Sequence, residues 1–314
     1  MSTPLQINSV DGAGLPAGPV HLAIGIFDGV HLGHRAVIEA AVQSARRSGG
    51  VAAVLTFAPH PSALLRPEQP TPLIMGSAAK ARVLGGLGVQ VVITHPFTPA
   101  FAQIGAHAFL PWLRERLPAL AAVYVGENWR FGRGREGGLP LLVEQGRQLG
   151  LGVFSAPRVA LDGEPISSSR IRTALSSGDV AGANRMLGYS YFAEGLVTGG
   201  KQLGRMLGFP TLNVSWAPEL RPHYGVYAVR VRGVKSERSL PGVANYGLRP
   251  TVEKATAPRL EAHVLEDWCP YDAGDVITVD WLEFLRPEMK FSGVGELRVQ
   301  ITRDRDAARS FFWR

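Results

Sequence analysis

Residues 22–34 read LAIGIFDGVHLGH, and the rest of the fold can be worked out from that stretch. An uncharged apolar run reads as a buried strand, and Asp28 and Gly29 mark a turn. Val37, Ala40 and Ala41 then recur at helical spacing, with a stop at Gly49-Gly50. His31 and His34 therefore sit where a helix begins at the carboxyl end of a strand, with Gly33 between them. At such a start the first N–H groups lack intrahelical partners and the helix dipole is positive, which favours a phosphate. Gly33 lets an anion approach the backbone without meeting a Cβ. Imidazoles three residues apart share a helix face and reach phosphate oxygens together. The stretch reads as a nucleoside triphosphate site.

The bulk properties narrow the function classes. At 314 residues the chain is long enough for two domains with their own cores. Apolar residues make up 46% and charged residues 19%, as in ordinary globular proteins. No apolar run approaches the roughly 20 residues of a membrane span. The opening MSTPLQINSVDGAG has neither the basic start nor the apolar centre of a secretory signal. The single cysteine, Cys269, has no partner for an internal disulfide and no ligand cluster around it, which fits a reducing cytoplasm. A net charge of +7 and a pI near 9.8 suit either a nucleic-acid binder or an enzyme that holds several phosphates. Arg46-Arg47, Arg114/Arg116, Arg130/Arg133/Arg135, Arg170/Arg172 and Arg230/Arg232 are dispersed, with no lysine-rich tail. That dispersal favours small anionic ligands, so no nucleic-acid or membrane partner is expected. The chain is read as a monomer or weak homo-oligomer.

Along the first half, apolar strand-like runs alternate with helical patterns. HLAIGIF is followed by a helix at 35–48, then by VAAVLTF at 51–57. Ser77 is placed as the cap of a helix carrying Lys80, and VQVVIT at 89–94 follows. Ala106, Phe109, Leu113 and Leu117 mark one helix face, AAVYVG at 121–126 a strand, and 139–149 a further helix. Such wholly apolar strands predict a parallel sheet covered on both faces, with ligands beyond its carboxyl ends. Residues 1–20 read as a loosely ordered lead-in. From about residue 188 the pattern changes: YAVRVR at 227–232 alternates, and 242–247, 259–265 and 276–284 are strand-like. Segment 295–313 returns to helix, with Asp304 and Asp306 near a break. The expected fold class is therefore α/β plus β. A Rossmann-like parallel-sheet domain occupies 1–187, after a helix capped by Asp179, and a small antiparallel barrel with a terminal helix occupies 188–314.

Lys80 and the segments TFAPHP (56–61), VGENWRFGRGREG (125–137) and ISSSRIR (166–172) accompany HxGH. In this order they resemble the adenylyltransferase half of bacterial riboflavin kinase/FAD synthetases, members of the HxGH nucleotidyltransferases. GKQLGRMLGFPTLN (200–213), GVYAV (225–229), GVANYGLRPT (242–251), LEAH (260–263) and LRPEMKF (285–291) are similar to the riboflavin kinase module. The chain departs from the family pattern at Ile26, where asparagine is usual, at Ala58, where an acidic residue is common, and mildly at Ser169 and Leu212.

The resemblance implies two reactions on the substrates ATP, riboflavin and FMN. In the first, the phosphate of FMN attacks the α-phosphorus of ATP and pyrophosphate leaves. A phosphate monoester is largely dianionic at neutral pH, so it needs screening and in-line placement rather than a base. His31 and His34 are expected to hold and neutralise the phosphates, beside Phe27, Asp28, Gly29 and Gly33. Ser167, Ser168 and Ser169 offer hydroxyl and backbone donors, and Arg170 or Arg172 reaches the departing pyrophosphate. The resemblance puts Phe57, His60 and Pro61 beside the flavin phosphate, and Asn128, Trp129, Arg130 and Phe131 in a flavin-side loop. Trp129 and Phe131 are read either as stacking on a ligand ring or as core.

The second reaction moves the γ-phosphoryl group of ATP onto the terminal ribityl hydroxyl of riboflavin. An alcohol calls for a base and a metal. Thr211 and Asn213 lie two apart in an extended segment and share a face, with hard oxygen donors suited to Mg²⁺. By resemblance Gly200, Gly204 and Gly208 with Arg205 are expected to form a glycine-rich flap around the phosphates. Glu261 alternates onto one face with His263, and by resemblance it is the base. Two other readings remain: an enzyme with one activity whose other half only binds flavin, and a flavin-sensing nucleic-acid binder.

Overall fold

The computed structural model describes residues 3–199, 208–234, 236, 238–248 and 258–313. Gly200, Gly204 and Arg205 of the expected flap lie outside them. The chain forms two compact units, Met1–Ser168 and Ser169–Arg314.

In the first unit the order is β1 (Leu5–Ile7), β2 (Val20–Ile24), α1 (Leu32–Ser48), β3 (Val51–Ala58), α2 (Pro61–Leu65) and α3 (Ser77–Gly86). There follow β4 (Val91–Pro96), α4 (Pro99–Ala102), α5 (Ala106–Arg116), β5 (Leu120–Gly126), α6 (Leu139–Gln148) and β6 (Gly152–Ala156). The strands make one parallel sheet in the order β1-β4-β3-β2-β5-β6. Every residue of β2 is buried, as its uncharged run requires. Strand order reverses beside β2, so the turn after β2 opens at the switch point where parallel sheets take ligands. Ala106, Phe109 and Leu113 do form the buried face of α5, and Leu117 is buried just beyond its end.

Two local expectations are corrected here. Residues 1–20 are not merely a lead-in, because β1 pairs with β4 and Val10 is fully buried. Three residues of edge strand are too short for a periodic signal to register. The cap of α3 is Gly76, with no side-chain bond, while Ser77 is the first helical residue.

A short hairpin, β7 (Ala160–Leu161) with β8 (Glu164–Pro165), precedes α7 (Ser168–Ser177) and α8 (Val180–Leu187). Asp179 caps α8 by accepting the Gly182 N–H at 2.9 Å. The second unit then builds β9 (Phe192–Thr198), β10 (Leu212–Ser215), β11 (Gly225–Gly233), β12 (Leu240–Gly247), β13 (Arg259–Val264) and β14 (Val276–Pro287). These close into an antiparallel barrel in the order β10-β13-β12-β11-β14-β9. Tyr227, Tyr246 and Trp281 fill it, with the Tyr227 and Trp281 rings 4.5 Å apart. Asn184 ties α8 to the wall, donating to the Trp281 carbonyl at 2.7 Å and accepting the Tyr191 N–H at 2.6 Å.

The terminal helix Val294–Phe312 runs without interruption, so the expected break at Asp304 and Asp306 is absent. Asp304 is instead an inward anchor. Arg286 of β14 grips its carboxylate through two bonds of 2.7 and 2.6 Å, and Gln300 adds a third at 2.9 Å. The helix covers the outer face of β11, burying Ala228 against Ala308 with Phe311 and Phe312 alongside. That explains why Ala228, on the face shared with Arg230 and Arg232, is fully buried. Replacing Asp304 by Ala leaves the half-buried Arg286 without its carboxylate partner. The expected loss is about 3 kcal/mol of unfolding free energy, measured by urea titration under tryptophan fluorescence. A loss below about 1 kcal/mol would contradict the anchoring role.

Candidate active sites

The first site is built on a turn that the sequence forces into an unusual shape. Between β2 and α1 the chain passes through Phe27 at φ 49°, Gly29 at φ 81° and Val30 at φ 38°. A positive φ is costly for a β-branched residue such as valine. The Phe27 ring folds back over Gly25, where an added Cβ would stand 2.9 Å from it. Thr56 donates its hydroxyl to the Ile26 carbonyl at 2.9 Å, and Lys80 Nζ donates to the same oxygen at 2.9 Å. The Asp28 carboxylate accepts the Ile74 N–H at 3.0 and 3.1 Å, while its carbonyl accepts from the Ser168 hydroxyl at 2.9 Å. Ile26, the position lacking the family's asparagine, thus contributes through its backbone.

His31 is the N-cap of α1, and its Nδ1 accepts the His34 N–H at 3.3 Å. That bond leaves Nε2 as the protonated nitrogen of the neutral ring. The two imidazoles stack 3.5 Å apart at 18°, and Phe27 meets His34 edge-on at 5.3 Å. Burial pushes His31 down to about 4. Burial, then His31, then Lys80 hold His34 well below its ordinary value. Burial thus favours the uncharged form of both rings at neutral pH in the free protein, in which each imidazole offers an N–H donor. Gly33 has a further reason to be glycine, since a Cβ there would press on the His31 ring at 3.2 Å.

The remaining expected residues divide. Phe27 and Asp28 are buried and shape the turn from inside. Ser168 joins the cluster through Asp28, while Ser167 is half-buried just before it. Ser169, Arg170 and Arg172 lie in the first turns of α7, Ser169 exposed and both arginines half-buried. His60 caps α2 by accepting the Ser62 N–H at 3.1 Å, with Pro61 at the first helical position. Phe57 packs among aromatic rings, 5.3 Å from Phe101. Phe131 is core, and Trp129 stacks on it at 4.7 Å and 14°. Asn128 and Arg130 are exposed, and the Arg130 guanidinium passes closely over Gly138.

The second site lies on the barrel. Thr211 and Asn213 line a cleft of about 590 Å³, with Gly208 at φ 86° on its rim. Across the β10–β13 ladder Asn213 stands opposite Glu261, and across β13–β12 Glu261 stands opposite Asn245. Three polar side chains thus form one cross-strand row, while Leu260 and Ala262 face the barrel interior. The His263 ring shares a 2.8 Å hydrogen bond with the Pro210 carbonyl, which fixes the segment entering β10. Arg305 and Arg309 of the terminal helix also line the cleft. Sequence reasoning missed them because a helical arginine at the chain's end carries no motif. Among the described residues no group of three His, Cys, Asp or Glu is placed to hold a metal by itself. The hydroxyl and amide oxygens of Thr211 and Asn213 fit a hard cation whose remaining ligands come from substrate and water.

A parallel sheet carrying HxGH at its switch point, followed by a separate closed barrel, defines a two-part nucleotide-dependent transferase. A family model for FAD synthetase matches residues 17–170, and one for riboflavin kinase matches 187–312. The chain is 37% identical over 291 residues to the bifunctional riboflavin kinase/FMN adenylyltransferase of Escherichia coli K12, covering 93% of this chain and 92% of that one. It is 36% identical over 297 residues to the Bacillus subtilis protein of the same name, with the same coverage. The chain belongs to the bifunctional riboflavin kinase/FMN adenylyltransferase family. A crystal structure titled as a macrolide-efflux protein from Streptococcus pneumoniae has the same fold, with a TM-score of 0.84 and 26% identity over 98% of this chain and 99% of that one. No helix among the described residues of this chain is long and apolar enough to cross a membrane.

The buried His31 makes a pH prediction. Unfolding releases its ring to an ordinary value of 6.5, against about 4 when folded. Between those values the unfolded chain binds more protons, so stability falls as the pH drops from 6.5 toward 4. The displacement is worth about 3 kcal/mol. His31→Asn keeps a side-chain acceptor at the cap and is expected to flatten the pH dependence by about that amount. Urea titrations across this pH range check it.

Proposed function

We propose that the chain makes FMN from riboflavin and ATP in its barrel unit, and FAD from FMN and ATP at the HxGH site. The adenylyltransferase part is assigned to residues 1–187 and the kinase part to 188–314. The start of the riboflavin kinase match at 187 supports this division, although α7 and α8 pack in the second compact unit. The observation that carries the two-reaction reading is that His31 and His34 belong to one unit and Thr211, Asn213 and Glu261 to the other.

At the HxGH site an FMN phosphate oxygen bonds to the α-phosphorus of ATP, and the bond to the bridging oxygen breaks as pyrophosphate leaves. The nucleophile is already ionised. The Nε2–H of His31 and the α1 dipole stabilise charge on the phosphate chain, and Arg170 or Arg172 meets the pyrophosphate. Trp129, backed by Phe131, offers a ring face to the flavin. At the barrel site Glu261 takes the proton from the ribityl hydroxyl as that oxygen bonds to the γ-phosphorus and ADP leaves. Thr211 and Asn213 would hold Mg²⁺, which screens the nucleotide phosphates. The flap residues Gly200, Gly204, Gly208 and Arg205 belong to the same proposal. The reading places the protein in the cytoplasm with small molecules as its partners.

Separate substitutions test the assignment. His31→Ala is expected to stop FAD formation while leaving FMN formation within about twofold. Glu261→Ala is expected to lower FMN formation by about 100-fold or more while FAD is still made from added FMN. Chromatography of products from riboflavin, FMN, ATP and Mg²⁺ reads both. Loss of both steps in either folded variant would overturn the two-site reading.

A further inference from the structure

We propose that Lys80 is a catalytic residue of adenylyl transfer, giving a hydrogen bond and its positive charge to the nucleotide phosphates at the start of α1. The proposal rests on the adenylyltransferase reading of the HxGH site. Lys80 projects from α3 and is only 7% exposed. Its Nζ donates to the Ile26 carbonyl at 2.9 Å and, more weakly, to the Thr56 hydroxyl at 3.5 Å. An ammonium carries three N–H groups, and these two acceptors are its hydrogen-bond partners among the described residues. The third donor is held beside the turn that presents His31 and His34.

Bracing the turn does not account for a charge. Thr56 already donates to the Ile26 carbonyl at 2.9 Å, and a neutral donor would serve as a second brace. Burying an ammonium against neutral oxygens is expensive unless an anion joins it. Asp28 favours the charged form from a distance, while its carboxylate oxygens are engaged by the Ile74 N–H. The two imidazoles are uncharged in the free protein, so the buried cation at this site is Lys80. In the transfer, the FMN oxygen bonds to the α-phosphorus and the electron pair of the broken bond departs on pyrophosphate. Lys80 keeps its proton throughout and stabilises the charge that develops.

The full-length protein and the variants Lys80→Gln and Lys80→Arg test this, with riboflavin phosphorylation as the internal control for folding. In K80Q, FMN formation is expected within about twofold of the parent, and kcat for FAD formation is expected to fall by about 100-fold or more. K80R is expected to recover at least about tenfold over K80Q. Burial lowers the lysine's proton affinity, so parent FAD synthesis is expected to decline on the alkaline side. In K80R, whose side chain stays charged, that limb is expected to move to higher pH. K80Q with kcat/KM for ATP within about threefold of the parent would overturn the proposal. So would a K80R profile whose alkaline limb is unmoved, which is the signature of bracing alone. Should K80Q not fold, the K80R profile decides. A parent protein that makes no FAD would overturn the adenylyltransferase reading itself, a result distinct from a defect confined to the variants.

Discussion

The carbonyl of Ile26 is where three chain segments of the first unit meet. It accepts from Thr56 at the end of β3 and from Lys80 on α3, both at 2.9 Å. Without those bonds nothing in local propensity would hold the next four residues as they are. Phe27 and Val30 occupy positive φ, each at a cost of about 1–3 kcal/mol. Asp28 supplies the remaining constraints, taking the Ile74 N–H on its carboxylate and the Ser168 hydroxyl on its carbonyl. The result is a rigid corner that delivers His31 to the cap of α1 and brings His34 beneath it. Preorganisation of this kind puts donors in place before the ligand arrives, so little reorganisation accompanies the reaction.

The same corner explains the electrostatics. Burying two imidazoles stacked at 3.5 Å disfavours positive charge on either ring, and Lys80 nearby adds to the effect on His34. Neutral rings remain useful because the cap bond directs the His31 proton to Nε2. The barrel solves a different problem. Its polar row of Asn213, Glu261 and Asn245 comes from strand register alone, with alternate residues turned into an apolar interior. A ladder of this type fixes the spacing of side chains drawn from distant parts of the sequence.

The features legible in the sequence were those carried by a period or a motif. The uncharged β2 run, the apolar face of α5, the burial of Val37 and Ala41 on α1 and the alternation of β13 appear as their spacing implied. What stayed hidden depends on tertiary partners. β1 is too short for a period, and its place comes from pairing with β4. Asp304 looks like a helix-breaking residue until Arg286 arrives from β14 to bind it. Ala228 is buried by a helix about 80 residues further along the chain. The Lys80 motif was visible, but its attachment to the Ile26 carbonyl was not, because a backbone acceptor leaves no mark in the sequence.

Under the proposed assignment the two sites differ as their nucleophiles demand. A flavin phosphate brings its own negative charge, so a site for it needs donors and cations and has little use for a carboxylate pointing at the nucleophile. At the HxGH corner the Asp28 carboxylate accepts the Ile74 N–H. On the proposed reading a ribityl alcohol brings a proton that must be removed, and Glu261 stands half-buried in a row with Asn213. A carboxylate that served as base in one pocket would repel the dianion in the other. Housing the chemistries in separate units lets each pocket keep the charge pattern its own nucleophile requires.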